Sequence, residues 1–254
     1  MDEAVILAGG LGRRLRRLTG DIPKYIYRID GYPLIVYPIK ALYLSGVKRF
    51  VMVVSNIYSE KILSTVYEYL GDIDIVPVIN QYPEAENGYS FYLGFKMIEA
   101  DSFILSMSDH IYPPSLISRM LEVFDECGAD ILICGDSDPK YVFVNEATKI
   151  LIDSSGKIIN MGKNLDNFTY IDAGVFIMRR ESIEDLLNRV NIDKGTRLCE
   201  IILSGAEYGL DIKVCDVESG YWVDVDSEDD VHMLLNGRWK LVLDRAKAEW
   251  DQYE

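Results

Sequence analysis

Arg13, Arg14, Arg16 and Arg17 sit within five residues of one another in a chain whose formal net charge is −15. They follow an apolar run, Ala4-Val5-Ile6-Leu7-Ala8, and a glycine turn, Gly9-Gly10-Leu11-Gly12, and Pro23-Lys24 closes the segment. Glycines lack a Cβ, so a backbone rich in them can approach a phosphate and direct several N–H donors at it. Guanidinium and ammonium groups beside the turn supply compensating charge. A solvated arginine face would explain one Gly-x-Gly. Strand, three glycines, Arg13 and Pro23-Lys24 in that order point to a phosphate site.

Two familiar phosphate loops do not fit. A Walker A loop has Lys-Ser/Thr after its last glycine, whereas Gly12 is followed by Arg13-Arg14. A dinucleotide fingerprint needs a third glycine at the helix start for close packing on the strand, and position 15 is Leu.

Acidic groups recur at two further stations. Phe103-Ile104-Leu105-Ser106-Met107 runs into Ser108-Asp109-His110, and a carboxylate at the exit of a buried parallel strand can hold Mg2+. Alone, Asp109 would read as a turn residue. The second exit, Trp222-Val223-Asp224-Val225-Asp226, puts Asp224 and Asp226 on one face of a strand with Val223 and Val225 behind. Asp109 with one or both of them makes a carboxylate set for a hard cation bridging phosphates. Ser227 reads as an N-cap, with Glu228, Asp229 and Asp230 suited to the positive helix end. The polar segment Asn80 to Ser90, ending in Asn87-Gly88-Tyr89-Ser90, offers hydrogen-bonding groups for a nucleobase edge. Lys163 is a cation away from Arg13, available to a second, phosphorylated substrate. His232 reads as structural. His110 lacks a Cys or a second His nearby for zinc, and no Ser/His/Asp or Cys/His set can be assembled for covalent acyl transfer.

The elements that must position these groups alternate. Short apolar strands are expected at 4–8, 50–55, 73–79, 103–107 and 130–134, with helices at about 34–45, 59–70, 89–99 and 115–126. Such alternation predicts an α/β fold, a mainly parallel sheet with helices on both faces and ligands at the carboxyl ends of the strands. Past residue 140 the pattern becomes β-rich. Strands are expected at 141–145, 148–153, 157–161, 171–179, 211–217 and 221–225, helices at 181–190 and 196–208, and a last helix over about 227–250. No linker or repeat divides the chain, so residues 1–254 are expected to form a single domain with a small β-rich extension.

With 254 residues, 49% of them hydrophobic, the chain can bury a large core. No apolar run approaches the ~20 residues of a membrane span, and the acidic Met-Asp-Glu-Ala start is no signal peptide. Cys127, Cys134, Cys199 and Cys215 are scattered, as in a reduced cytoplasmic protein. The acidic balance argues against nucleic acid, whose binding rests on neutralised phosphates.

Taken in order, these stations resemble the sugar-phosphate nucleotidylyltransferases, with their Rossmann-like nucleotide-diphospho-sugar transferase fold. The match spans nearly the whole chain. It runs from Gly9-Gly10-Leu11-Gly12-Arg13 through Pro23-Lys24, Asn87-Gly88-Tyr89-Ser90, Ser108-Asp109-His110 and Gly162-Lys163, then Asp172-Ala173-Gly174-Val175-Phe176, to Trp222-Val223-Asp224-Val225-Asp226. Within that family the chain is most similar to cytidylyltransferases acting on inositol 1-phosphate, through Asn80 to Ser90, Ser108 to Tyr112 and Gly162 to Leu165. The resemblance implies catalytic Arg13 and Lys24 on the triphosphate, and a nucleotide site of Ala8, Gly9, Gly10, Gly12, Arg13, Lys24, Asn87, Gly88 and Ser90. It further implies Mg2+ on Asp109 with Asp224 or Asp226, and acceptor binding by Lys163 and Asp172. Sugar-1-phosphate members usually carry Glu-Lys-Pro where this chain has Gly162-Lys163-Asn164, which makes a hexose phosphate a poorer acceptor. The implied substrates are CTP and a phosphorylated alcohol, with a homodimer left open. The product would pass to a separate membrane CDP-alcohol phosphotransferase, a domain that some relatives carry fused. Phosphocholine, phosphoethanolamine and sugar-1-phosphate acceptors stay open as alternatives, as does a non-catalytic regulatory subunit.

Overall fold

The computed structural model describes residues 1–252; the last two positions, Tyr253 and Glu254, lie outside the described residues. Nine strands form one sheet: β1 (Glu3–Ala8), β2 (Arg49–Ser55), β3 (Asp74–Asn80), β4 (Ser102–Met107), β5 (Ile131–Asp136), β6 (Lys149–Ile152), β7 (Ile158–Gly162), β8 (Tyr170–Arg179) and β9 (Ile212–Asp216). Their order is β9-β5-β8-β4-β1-β2-β3, with the β6–β7 hairpin laid beside the start of β8. β4, β1, β2 and β3 are mutually parallel, and β9 is parallel to β5. Only β8 runs against its two long neighbours, β4 and β5.

Strands that read as continuous apolar runs are buried on both faces, as parallel strands usually are. Along β1, Ala4, Ile6 and Ala8 enter one core while Val5 and Leu7 enter the other. The first core is covered by α1 (Val36–Leu44), α2 (Ser59–Leu70) and α4 (Pro114–Cys127). The second is covered by α3 (Asn87–Phe95), α5 (Arg180–Leu187) and α6 (Leu198–Glu207). Helix α3 lies close on the sheet because of one glycine. A Cβ at Gly94 would stand 2.7 Å from Val5 Cγ1 and 2.8 Å from Val53 Cγ2. Gly94→Ala is therefore expected to lose about 1–3 kcal/mol of stability through overpacking. An unchanged midpoint in denaturant unfolding would contradict this contact.

Two expectations fail. Residues 141–145 form no strand. Tyr141 instead stacks on Tyr221 at 5.6 Å and Phe143 packs on Trp239 at 4.7 Å, so the apparent alternation serves aromatic docking of a loop. The long last helix is two: α7 (Glu228–Asn236) and α8 (Lys240–Trp250). Between them Gly237 turns tightly against Met233, leaving only 2.9 Å between its Cβ position and the Met233 carbonyl. Trp239, Val242, Leu243 and Trp250 then fill a third core with α7. The strand expected over 221–225 shortens to Val223–Asp224, which pairs away from the main sheet.

Candidate active site

β1 and β4 are parallel neighbours, so their exits face the same edge, and a cavity of about 380 Å³ opens there. Its lining includes Gly9, Gly10, Gly12, Arg13 and Lys24 together with Asn87, Ser90, Lys163 and Asp172. Asp109, His110, Asp224 and Asp226 line it as well. All but two of the expected site residues thus meet in one place. Ala8 is wholly buried at the end of β1, and Gly88 is committed to packing: a Cβ there would lie 2.6 Å from the Thr196 carbonyl oxygen. Neither lines the cavity.

The glycine turn is shaped by what lies beneath it. Gly12 is left-handed (φ 57°), and a Cβ on it would stand 2.7 Å from Lys24 Cγ. The turn is therefore folded down on the lysine stem. Lys24 itself is only 5% exposed. Its Nζ lies 2.5 Å from Asp109 Oδ2 and 2.6 Å from Asp226 Oδ1. Burial opposes its charge, but Asp109 and Asp226 outweigh burial and raise its pKa well above the ordinary lysine value. Arg13 stands at the mouth, 61% exposed and paired with Glu84 at 2.6 Å. A pair so solvated contributes little, so a polyphosphate can take its place. Arg14 contacts Asp226 from the same side.

A two-strand ribbon unites the two acidic exits. His110–Ile111 pairs antiparallel with Val223–Asp224, setting His110 opposite Asp224, and the Val225 N–H donates to the Asp109 carbonyl at 3.0 Å. One ligand atom each from Asp109, His110 and Asp224 then lies within 4.8 Å of the others. Asp226 falls outside this cluster, turned to Lys24 and Arg14. Asp224 Oδ1 is buried with no hydrogen-bond partner, and burial raises the pKa of this carboxyl. An orphaned oxygen beside a second carboxylate suits a hard cation such as Mg2+, which binds through one or two carboxylates and completes its shell with water and substrate phosphates, so these residues fit such an ion.

His110 is the residue that sequence reasoning undervalued. Its Nδ1 donates to Asp109 Oδ1 at 2.9 Å and stands 3.8 Å from Asp224 Oδ1. Burial alone would lower its pKa, but the Asp224 and Asp109 carboxylates raise it to about 9. The ring lies parallel to Trp222, whose Nε1–H donates to buried Asp136 at 2.7 Å. On its edge sits Gly174 (φ +73°), where a Cβ would come within 2.5 Å of His110 Nε2. The sequence shows only a glycine two residues after Asp172; that it is left-handed and leaves room for the His110 ring is visible in the structure alone. Asp172 Oδ1 accepts the Gly174 N–H at 2.8 Å, and burial lifts its pKa to about 6.

Behind Gly9, Asn80 Nδ2 donates to Ser90 Oγ at 3.1 Å. Asn87 Oδ1 accepts the Leu198 N–H at 2.9 Å, tying α3 to the start of α6. Residues 4–196 match the model of the MobA-like NTP transferase domain. The chain belongs to that family. Among curated relatives, the chain is 33% identical over 91% of its length to the bifunctional IPC transferase and DIPP synthase of Aquifex aeolicus. It is 31% identical over 90% of its length to the protein of that name from Archaeoglobus fulgidus. It covers 50% and 42% of those two proteins, about half of each. The solved inositol-1-phosphate CTP transferase from T. maritima superposes with a TM-score of 0.86 at 32% identity, over 97% of this chain and 96% of that one. No described helix of the chain is long and apolar enough to cross a membrane.

Proposed function

We propose that this chain, acting as one nucleotidyltransferase domain, transfers a cytidylyl group from CTP to myo-inositol 1-phosphate, releasing pyrophosphate and CDP-inositol. The observation that carries the reading is the cavity, whose lining brings together a glycine turn with Arg13 and Lys24, the Asp109–Asp224 carboxylate pair, and Lys163 and Asp172. The likeness to an inositol-1-phosphate CTP transferase over almost its full length supports the choice of substrates.

A phosphate monoester with a second pKa of about 6 is mostly dianionic at pH 7. Its oxygen attacks the α-phosphorus of CTP, the α–β bridging bond breaks, and pyrophosphate leaves with that electron pair. No proton has to be removed, so no general base is needed. The chain's task is to bring two anions together and to stabilise charge at the α-phosphate. The Gly9–Gly12 turn offers backbone N–H groups to the triphosphate, and Arg13 exchanges Glu84 for a phosphate oxygen. Lys24 holds a buried positive charge beneath the turn. Lys163 binds the acceptor phosphate, and Asp172 accepts a hydrogen bond from an acceptor hydroxyl. Asn87 and Ser90 face the base.

Asp109 and Asp224 would hold Mg2+, which when bound supplies positive charge to phosphate oxygens. His110 donates to Asp109 and so fixes the carboxylate's orientation. Asp226 positions Lys24. The product, an activated alcohol diphosphate, suits a separate phosphotransferase acting at a membrane, and the working assembly is one chain or a homodimer.

The test is product identity. Purified protein with CTP, inositol 1-phosphate and Mg2+ is expected to yield equimolar pyrophosphate and CDP-inositol by phosphorus NMR, and chelation with EDTA is expected to stop the reaction. Pyrophosphate without a CDP-alcohol, or no turnover of these two substrates, contradicts the proposal.

A further inference from the structure

Lys149 is a buried lysine, 7% exposed, with no carboxylate within ion-pair distance among the described residues. Lysines are rarely buried unless paired, because an ammonium loses hydration it must replace. Among the described residues, the one acceptor this ammonium has is the backbone carbonyl of Lys163, at 2.6 Å, with the Phe168 ring 6.0 Å away. The β6–β7 register explains the reach: Lys149 stands opposite Gly162, one residue before Lys163. Both flanking positions, Thr148 and Lys163, line the cavity. A charge-assisted hydrogen bond therefore pins the exit of β7, the point from which Lys163 enters the cavity. The neutral carbonyl solvates the ammonium but brings no countercharge to that end.

We propose that Lys149 is the positioning residue of the acceptor-phosphate subsite. It clamps the Lys163 backbone so that the Lys163 side chain meets an incoming phosphate monoester, and that dianion completes the charge balance Lys149 lacks in the free protein. The inference rests on the acceptor assignment above. It predicts a defect confined to one substrate, which a general packing role would not produce.

Lys149→Met and Lys149→Arg are compared with the parent protein in steady-state kinetics and in amide hydrogen exchange without substrate. Lys149→Met is expected to raise the KM for inositol 1-phosphate at least about 10-fold, as loss of a charged hydrogen bond does. The KM for CTP should stay within twofold, and Lys149→Arg should recover most of the loss. Exchange over residues 162–166 should accelerate in Lys149→Met alone. An acceptor KM within twofold of the parent, or a parallel rise in both KM values, overturns the proposal. If the parent protein does not turn over inositol 1-phosphate, the acceptor assignment falls, and exchange decides the clamp separately: unchanged exchange over 162–166 refutes it.

Discussion

Lys24→Ala is expected to lower turnover at least about 10²-fold, the loss commonly seen when one preorganised charge donor leaves an active site. The structure gives this effect two sources. The ammonium lies under the glycine turn, and the same atom separates Asp109 from Asp226. Without it, two half-buried carboxylates face each other and the triphosphate meets a more negative cavity. Stability will fall as well, because the charges left behind are uncompensated. Lys24→Met is therefore the better second variant, since it keeps an apolar stem against Gly12 and removes only the charge. Folded Lys24→Met with parental turnover would remove Lys24 from the chemistry.

The second large effect separates Asp224 from Asp226, which the sequence left as equals. Asp224 carries the orphaned oxygen and shares the three-residue cluster with Asp109 and His110. Asp226 is occupied by Lys24 and Arg14. Asp224→Asn and Asp109→Asn are each expected to raise the Mg2+ concentration for half-maximal activity at least about 10²-fold. That is the upper end of what losing even an indirect support of a metal site costs. Asp226→Asn should lower turnover while leaving the Mg2+ dependence near that of the parent. The reverse pattern, with Asp226→Asn demanding the extra Mg2+, would place the metal on the other carboxylate.

Much of this molecule could be read from its sequence because its strands are buried on both faces and its helices fill the gaps between them. β1, β2, β3, β4 and β5 begin and end within about two residues of expectation, and α2 matches its expected span. The phosphate turn was legible for a local reason: strand, glycines, arginine and lysine are neighbours in sequence. What was not legible is whatever depends on pairing between distant segments. The ribbon joining His110 to Asp224 is two residues long on each side, too short to leave a periodic pattern, yet it builds the carboxylate cluster. His110 was set aside because its sequence neighbours offered no second nitrogen or sulfur ligand. Its partners are carboxylates, one of them across that ribbon. Lys149 left no signal at all, since its acceptor is a backbone carbonyl. Residues 141–145 alternate like a strand, but their aromatic side chains dock on Tyr221 and Trp239.

The central claim is cytidylyl transfer to inositol 1-phosphate, and pyrophosphate release tests it most directly. CTP, UTP, ATP and GTP are each paired with inositol 1-phosphate, phosphocholine and glucose 1-phosphate in the presence of Mg2+. Release confined to CTP with inositol 1-phosphate is the predicted result. Preferential release with another pair would move the substrate assignment, and no release with any pair from folded protein would contradict catalysis at this site.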